Sequence, residues 1–293
     1  MVFSGGPRIG IALGGGSARG LTHIPYIEAM DELGLKPSVI AGTSIGALIG
    51  AGWASGMTGQ ELREHSIKVL GTMRIIAGRL WSTQVRGLGS LFKQGIPTQL
   101  DGMHVVEAFL PEHFPTSFHE LKIPLRVVAT DFRSWHQVVF AEGLLQPAIA
   151  GSIAIPSLFK PVLHAGHMLV DGGVVNPLPL DQVDLDSDFT IGIDVVGDPS
   201  EGLNRTDFGA IDMWFGSASI MMHSLTAHMI AAYPPDMYIR PKVASFGAME
   251  YWRVKDILAS VEGEKDRFKR LLAQRIEDYI QGRLEAAQPA PRS

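Results

Sequence analysis

Short apolar runs, each followed by glycine and then by apolar residues at helical spacing, recur along the first half of the chain. Ile9 to Leu13 (IGIAL) ends in a glycine cluster, the pattern of a buried strand feeding a loop. Leu21, Ile24, Ile27, Met30 and Leu33 follow at helical spacing, with Gly34 as a C-terminal stop. Pro25 requires this helix to begin late or to kink. Val39 to Ala41 predicts a second strand and Ala47 to Ala54 a second helix. Strand, helix, strand, helix at this pace predicts an α/β protein: three layers, α/β/α, around a mostly parallel central sheet.

The pattern is weakest over residues 71–100, which are glycine-rich and not assigned. Strands are expected at Leu125–Ala129, Gln137–Ala141 and Met168–Val170, and a helix over Leu144–Ile153 that stops near Pro156. Phe189–Val195 (FTIGIDV) reads as another buried strand and Met237–Arg240 as a last one. Ile211–Ala232 is uncharged apart from Asp212 and rich in methionine. It reads as a core helix in preference to a pocket wall built from Met213, Met221, Met222 and Met229. Val254–Leu284 is charged with helical periodicity, a surface helix or a pair of them, and 286–293 is a frayed tail. With no repeat and no linker, one domain over 1–293 is expected, with a motif-bearing core at 8–180 and a C-terminal strand and helices at 181–285.

Composition narrows the function classes. Apolar residues make up 46% and charged residues 19% of 293, so a sizeable core can form. A net charge of −5 argues against nucleic acid as partner, and the absence of cysteine removes disulfide and thiolate chemistry. The N-terminal MVFSGGPRIGIALGGG lacks a basic segment followed by an apolar run, so a cytoplasmic protein is expected. Val39–Met57 carries no charge, but five glycines and two serines make it poor membrane filler and better core.

Gly42-Thr43-Ser44-Ile45-Gly46 lies between an apolar strand and an apolar helix, the context of a nucleophile elbow. The glycines at positions 42 and 46 let strand and helix approach, and the helix N-terminus points at developing negative charge. A glycine-rich packing turn is the alternative. Gly14-Gly15-Gly16-Ser17-Ala18-Arg19-Gly20 also joins a strand to a helix. It fails the dinucleotide fingerprint, because Arg19 or Ser17 stands where glycine is required, and it has no Gly-Lys-Ser/Thr. An oxyanion hole beside Ser44 fits better, since adjacent parallel strands bring both loops to one sheet edge. For a base, His223 and His228 fall within the Met-rich helix, and His164 and His167 read as turn residues. Asp171 ends an apolar strand before Gly172-Gly173, whose lack of bulk permits close approach to the elbow. Taken alone, Asp171-Gly172 also reads as a hairpin turn.

Together and in this order, IALGGGSARGLTHI, AGTSIGALIGA and IAGSIAIPSLFKPVLHAGHMLVDGGVVNPLPLD resemble the patatin-like phospholipase family. The resemblance covers about residues 8–180, with weaker similarity through FTIGIDV and MYIRPKV. It implies a patatin-like fold, a histidine-free dyad of Ser44 and Asp171, and an oxyanion hole from Gly15, Gly16 and Ser17. Gly14, Arg19 and Gly20 would support that loop, with Arg19 fixing it or meeting a phosphate. Gly42, Gly46, Gly172 and Gly173 would serve elbow and dyad. Ser17 departs from a strict triple glycine, and Pro25 stands where a smaller residue is more usual. No metal or cofactor is implied.

The implied function is a lipid acyl hydrolase acting on phospholipids or related esters through an acyl-enzyme. An acyltransferase using the same intermediate, or a non-catalytic lipid- or nucleotide-binding protein, are the alternatives. From His65 to Leu100 there is no acidic residue. Apolar residues alternate there with Arg74, Arg79, Arg86 and Lys93, so a cap touching an anionic membrane surface is expected, against a simple surface excursion.

Overall fold

A computed structural model describes residues 6–84, 99–197 and 209–287, the side chains of 72–84, 210–212 and 283–287 excepted. The strands are β1 (Ile9–Leu13), β2 (Val39–Thr43), β3 (Leu125–Asp131), β4 (His136–Phe140), β5 (Val162–His164), β6 (His167–Asp171), β7 (Phe189–Ile193) and β8 (Met237–Ile239). The helices are α1 (His23–Glu32), α2 (Ile45–Ser55), α3 (Gly59–Gln84), α4 (Gly102–Phe109), α5 (Leu145–Ser152), α6 (Ala210–Ala232), α7 (Val254–Ser260) and α8 (Glu262–Ala287).

The eight strands form one mixed sheet in the order β5-β6-β3-β2-β1-β7-β8, with β4 also on β3. Pairings among β3, β2, β1, β7 and β8 are parallel, while β4, β5 and β6 join antiparallel. Strand alternation sorts side chains onto two faces. Ile9, Ile11 and Leu13 pack into the larger core with α1, α2 and α8. Ala12 and Ala41 face a smaller one with Leu178, Leu180 and Val183. That second face is thus covered by the irregular segment after β6 and by α6, whose Ile230 packs against it.

One feature of register positions the site. Val127 and Val128 pair with both β2 and β4, whereas Ala129–Asp131 pair with both β4 and β6. A strand has only two edges, so β2 and β6 share one edge of β3 and meet there head to head. Thr43 lies opposite Val128 and Asp171 opposite Ala129, which brings the C-terminal ends of the two strands together. Gly172 occupies the junction: a Cβ there would sit 2.2 Å from the Val128 carbonyl oxygen.

The first helix begins late, one of the two courses expected from Pro25, while other expectations need correction. Ser17–Thr22 form 3-10 turns and α1 begins at His23, so Pro25 stands in the first turn, where its missing N–H costs no helical hydrogen bond. His164 and His167 belong to β5 and β6, flanking the turn at Ala165 and Gly166. Asp171-Gly172 opens a short 3-10 turn, not a hairpin. The unassigned stretch begins as α3, while Arg86 and Lys93 lie outside the described residues. Arg74 and Arg79 fall in α3, their side chains outside the description. The uncharged α2 is fully buried from Ile45 to Ala54, as a core helix. The Met-rich α6 is not a core helix: Met213, Ile220 and Met221 are exposed.

Candidate active site

Ser44 sits between β2 and α2 at φ 55°, ψ −123°, outside the regions that serine ordinarily adopts. The turn is held by close packing: a Cβ on Gly46 would lie 2.1 Å from the Leu13 carbonyl oxygen, and one on Gly42 would lie 2.6 Å from Ala47 Cα. Those two glycines let α2 leave β2 at a sharp angle and direct the serine hydroxyl outward. The Ser44 backbone N–H donates to Ser152 Oγ at 2.8 Å, and Ser152 in turn donates to the Val128 carbonyl at 2.6 Å.

Ser44 Oγ donates to Asp171 Oδ2 at 2.6 Å. The other carboxylate oxygen, Oδ1, accepts from the Gly173 N–H at 2.7 Å, which fixes the rotamer. Both side chains are buried, and burial pushes the Asp171 carboxyl up to about 6, against the opposing pull of the hydrogen bonds from Ser44 and Gly173. At neutral pH the carboxylate is therefore ionised yet more basic than an ordinary aspartate.

The glycine loop lies beside this pair, because β1 and β2 are parallel neighbours with Leu13 opposite Gly42. Gly14 N–H donates to the Ile193 carbonyl at 3.0 Å and Gly15 N–H to the Pro177 carbonyl at 2.9 Å. The expectation of Gly15 as an oxyanion donor is thus corrected: its N–H is engaged within the protein. No acceptor is recorded for the Gly16 and Ser17 N–H groups among the described residues, and both residues line the cavity next to Ser44. Ser17 takes the positive φ of 55° in place of a third glycine, a left-handed conformation that costs a serine roughly 1–2 kcal/mol. Gly16 cannot be substituted without backbone movement, since a Cβ would meet the Val195 carbonyl oxygen at 2.5 Å. Arg19 fixes the loop: it donates to the carbonyls of Phe246 at 2.8 Å and Val196 at 2.5 Å. Gly20 admits Ile45 of α2, whose Cγ2 would lie 2.1 Å from a Cβ there.

Ser44, Asp171, Gly16 and Ser17 open on a cavity of about 280 Å³, walled by Ile155 and Val174 and by α6 through Phe215, Met222 and Leu225. No histidine is among its lining residues. His223 and His228 lie on α6 as expected, away from that lining. Of the four methionines, Met221 and Met222 line the cavity and Met213 and Met229 do not.

Residues 11–184, more than half of the chain, match the family described as Patatin-like phospholipase. The chain belongs to the patatin-like phospholipase family. The uncharacterized NTE family protein Rv1063c of Mycobacterium tuberculosis is 36% identical over 195 residues, 66% of this chain and 51% of that protein. Neuropathy target esterase sws of Drosophila melanogaster is 31% identical over 197 residues, 65% of this chain and 13% of that protein. Lysophospholipase NTE1 of Pyricularia oryzae is 24% identical over 279 residues, 86% of this chain and 18% of that protein. The chain thus spans about half the length of the mycobacterial relative and less of the others. Among solved structures, VipD from Legionella pneumophila overlays with a TM-score of 0.46 at 15% identity, covering 89% of this chain and 66% of that one.

Three further residues support the site, and none of them was assigned a role from the sequence. Ser152 closes α5 and holds the elbow from a position 108 residues away. His23, fully buried, donates from Nε2 to the Gly14 carbonyl at 2.9 Å; burial lowers its imidazole to about 4, so it stays neutral. It thereby sets the peptide plane from which Gly15 donates. Tyr251 lies beside the Ser17 side chain, and burial pushes its hydroxyl up to about 12. His23 carried a hint in its helical position on an apolar face, but only the fold shows its acceptor.

Proposed function

We propose that the chain hydrolyses carboxylic esters of lipids through an acyl-enzyme on Ser44, with Asp171 as general base. The observation that carries this reading is the 2.6 Å bond from Ser44 Oγ to a buried Asp171 carboxylate in the wall of an apolar cavity. As Oγ attacks the ester carbonyl carbon, its proton passes to Asp171 Oδ2. The Gly16 and Ser17 N–H groups donate to the resulting oxyanion, each donor being worth roughly 3 kcal/mol in such sites. When the intermediate collapses, the C–O bond to the alcohol breaks and Asp171 returns its proton to the leaving oxygen. Water then attacks the acyl-enzyme, losing a proton to Asp171, and Ser44 leaves reprotonated. Such a dyad needs no histidine, because the desolvated aspartate already has the basicity for the first transfer.

The cavity lies near the lower end of the roughly 300–1,000 Å³ typical of small-molecule sites, which favours one acyl chain at a time. A single-chain lipid such as a lysophospholipid is the favoured substrate, in keeping with the lysophospholipase name of one relative. A fluorophosphonate probe followed by intact-mass measurement tests the nucleophile. One adduct is expected on the wild-type chain, none on Ser44→Ala and slowed labelling on Asp171→Asn. Equal labelling of Ser44→Ala would refute the assignment.

A further inference from the structure

Helix α6 has an unusual surface. From Met213 to Ala232 it contains no Asp, Glu, Lys or Arg, whereas soluble surfaces are typically about 25–35% charged. Yet Ile220 is 70% exposed, Met221 61%, Met213 57% and Trp214 41%. Residues seven apart lie two turns along one side of a helix, so Met213–Ile220 and Trp214–Met221 form two adjacent stripes. The second stripe also lines the cavity above Ser44. Val174, on the turn just after Asp171, is half exposed and lines the cavity as well. Apolar side chains of α6 therefore extend from the cavity wall to the outside of the protein, with the uncharged Ser217 among them.

We propose that this uncharged face of α6 is the surface by which the protein settles on a lipid layer, irrespective of the headgroup charge of that layer. The proposal rests on the lipid-ester reading of the site. A contiguous exposed apolar patch at a pocket mouth marks an interaction surface. Its continuity with the cavity selects the occupant: a chain entering the cavity passes Trp214 and Met221, so the layer supplying it must meet the same rim. Tryptophan at that rim suits the boundary between acyl chains and headgroups. No described helix is long and apolar enough to cross a membrane, so α6 would lie in the plane of the surface. With no charged side chain from Met213 to Ala232 and a chain carrying a net −5, attraction to anionic headgroups contributes nothing at this face. That distinguishes it from contact through the basic residues of 65–100.

The test uses the chain carrying Ser44→Ala, so that vesicles stay intact, with and without Met213→Glu and Ile220→Glu. Neither position lines the cavity. Binding is measured by co-sedimentation with phosphatidylcholine vesicles and with an equimolar phosphatidylcholine–phosphatidylglycerol mixture, at low and high salt. The Ser44→Ala chain should bind both compositions within about threefold and keep its binding in salt. The two added substitutions should lower binding on the order of 100-fold, as expected when two apolar side chains no longer leave water. With Ser44 restored, the same pair should leave turnover of a soluble short-chain ester unchanged and lower hydrolysis of vesicle lipid at least ~10-fold. Met213→Ser with Ile220→Ser, checked by melting temperature, gives the same direction if the glutamates impair folding. Unchanged vesicle binding in both pairs would overturn the proposal, as would strong anionic selectivity lost in salt. A dimer that the substitutions dissociate, seen by sedimentation velocity, would assign the face to a second copy instead. Failure to turn over any soluble ester would count against the Ser44 reading alone, because vesicle binding is measured without it.

Discussion

Replacing Asp171 by asparagine separates activity from stability, which the site sets against each other. In the folded chain the carboxyl is raised from its ordinary 3.8 to about 6, chiefly by burial. The folded state thus holds this proton more tightly than the unfolded state does. Between pH 4 and 6, approximately, stability falls as pH rises; the penalty is absent below the lower value and complete above the upper one. About two pH units correspond to about 3 kcal/mol, an upper bound on what the ionised carboxylate costs at pH 7. Asparagine occupies the same space, accepts from the Gly173 N–H and carries no charge. Asp171→Asn should therefore unfold at higher urea concentration than wild type at pH 7, with the difference closing toward pH 4. Its ester turnover should be lost, since no group remains to take the Ser44 proton. In the wild-type chain kcat/KM, which follows the free enzyme, should fall about 10-fold from pH 7 to pH 5 with a midpoint near 6. The reasoning is refuted by a wild-type rate that stays flat down to pH 4, or by an asparagine variant less stable than wild type at pH 7.

Ser152→Ala leaves the buried Ser44 N–H without its acceptor; urea unfolding should show a loss of about 1–3 kcal/mol, with a lower kcat at similar KM. Gly172→Ala forces a Cβ against the Val128 carbonyl where β2 and β6 meet. A displacement of Asp171 by about an ångström should lower kcat on the order of 100-fold, read in the same ester assay. His23→Leu frees the Gly14 carbonyl and should lower kcat about 10-fold, whereas His23→Gln, which can still donate there, should recover most of it. A stopped recovery in His23→Gln with unchanged melting temperature would show that the bond does not position the loop.

Much of the site was legible because its residues stand at the ends of apolar runs. Ser44 and Asp171 each terminate a strand whose sequence announces it, and glycines mark where the backbone approaches closely. Helices α3 and α4 were not legible: the glycines and interleaved cations of 71–100 hide the helical period that α3 carries to Gln84. Helix α6 was found at its proper limits but assigned to the core, because an uncharged sequence looks the same whether protein covers it or not. Gly15 was taken as an oxyanion donor because a glycine-rich loop exposes several N–H groups, and sequence does not reveal which of them find acceptors such as Pro177.

The sequence by itself determined the strand–loop–helix units, the elbow at Ser44 and the neighbourhood of the glycine loop. Those follow from local periodicity, from turn chemistry and from the rule that short crossovers join parallel neighbours. Tertiary structure alone decided that β2 and β6, whose key residues are 127 positions apart, meet on one edge of β3. It also decided that Ser152 and His23 hold the backbone around them, and that α6 stays exposed above the cavity. The reason is physical: side-chain period tells which face of an element seeks burial, whereas the partner at each edge and the cover on each face are chosen by the whole chain.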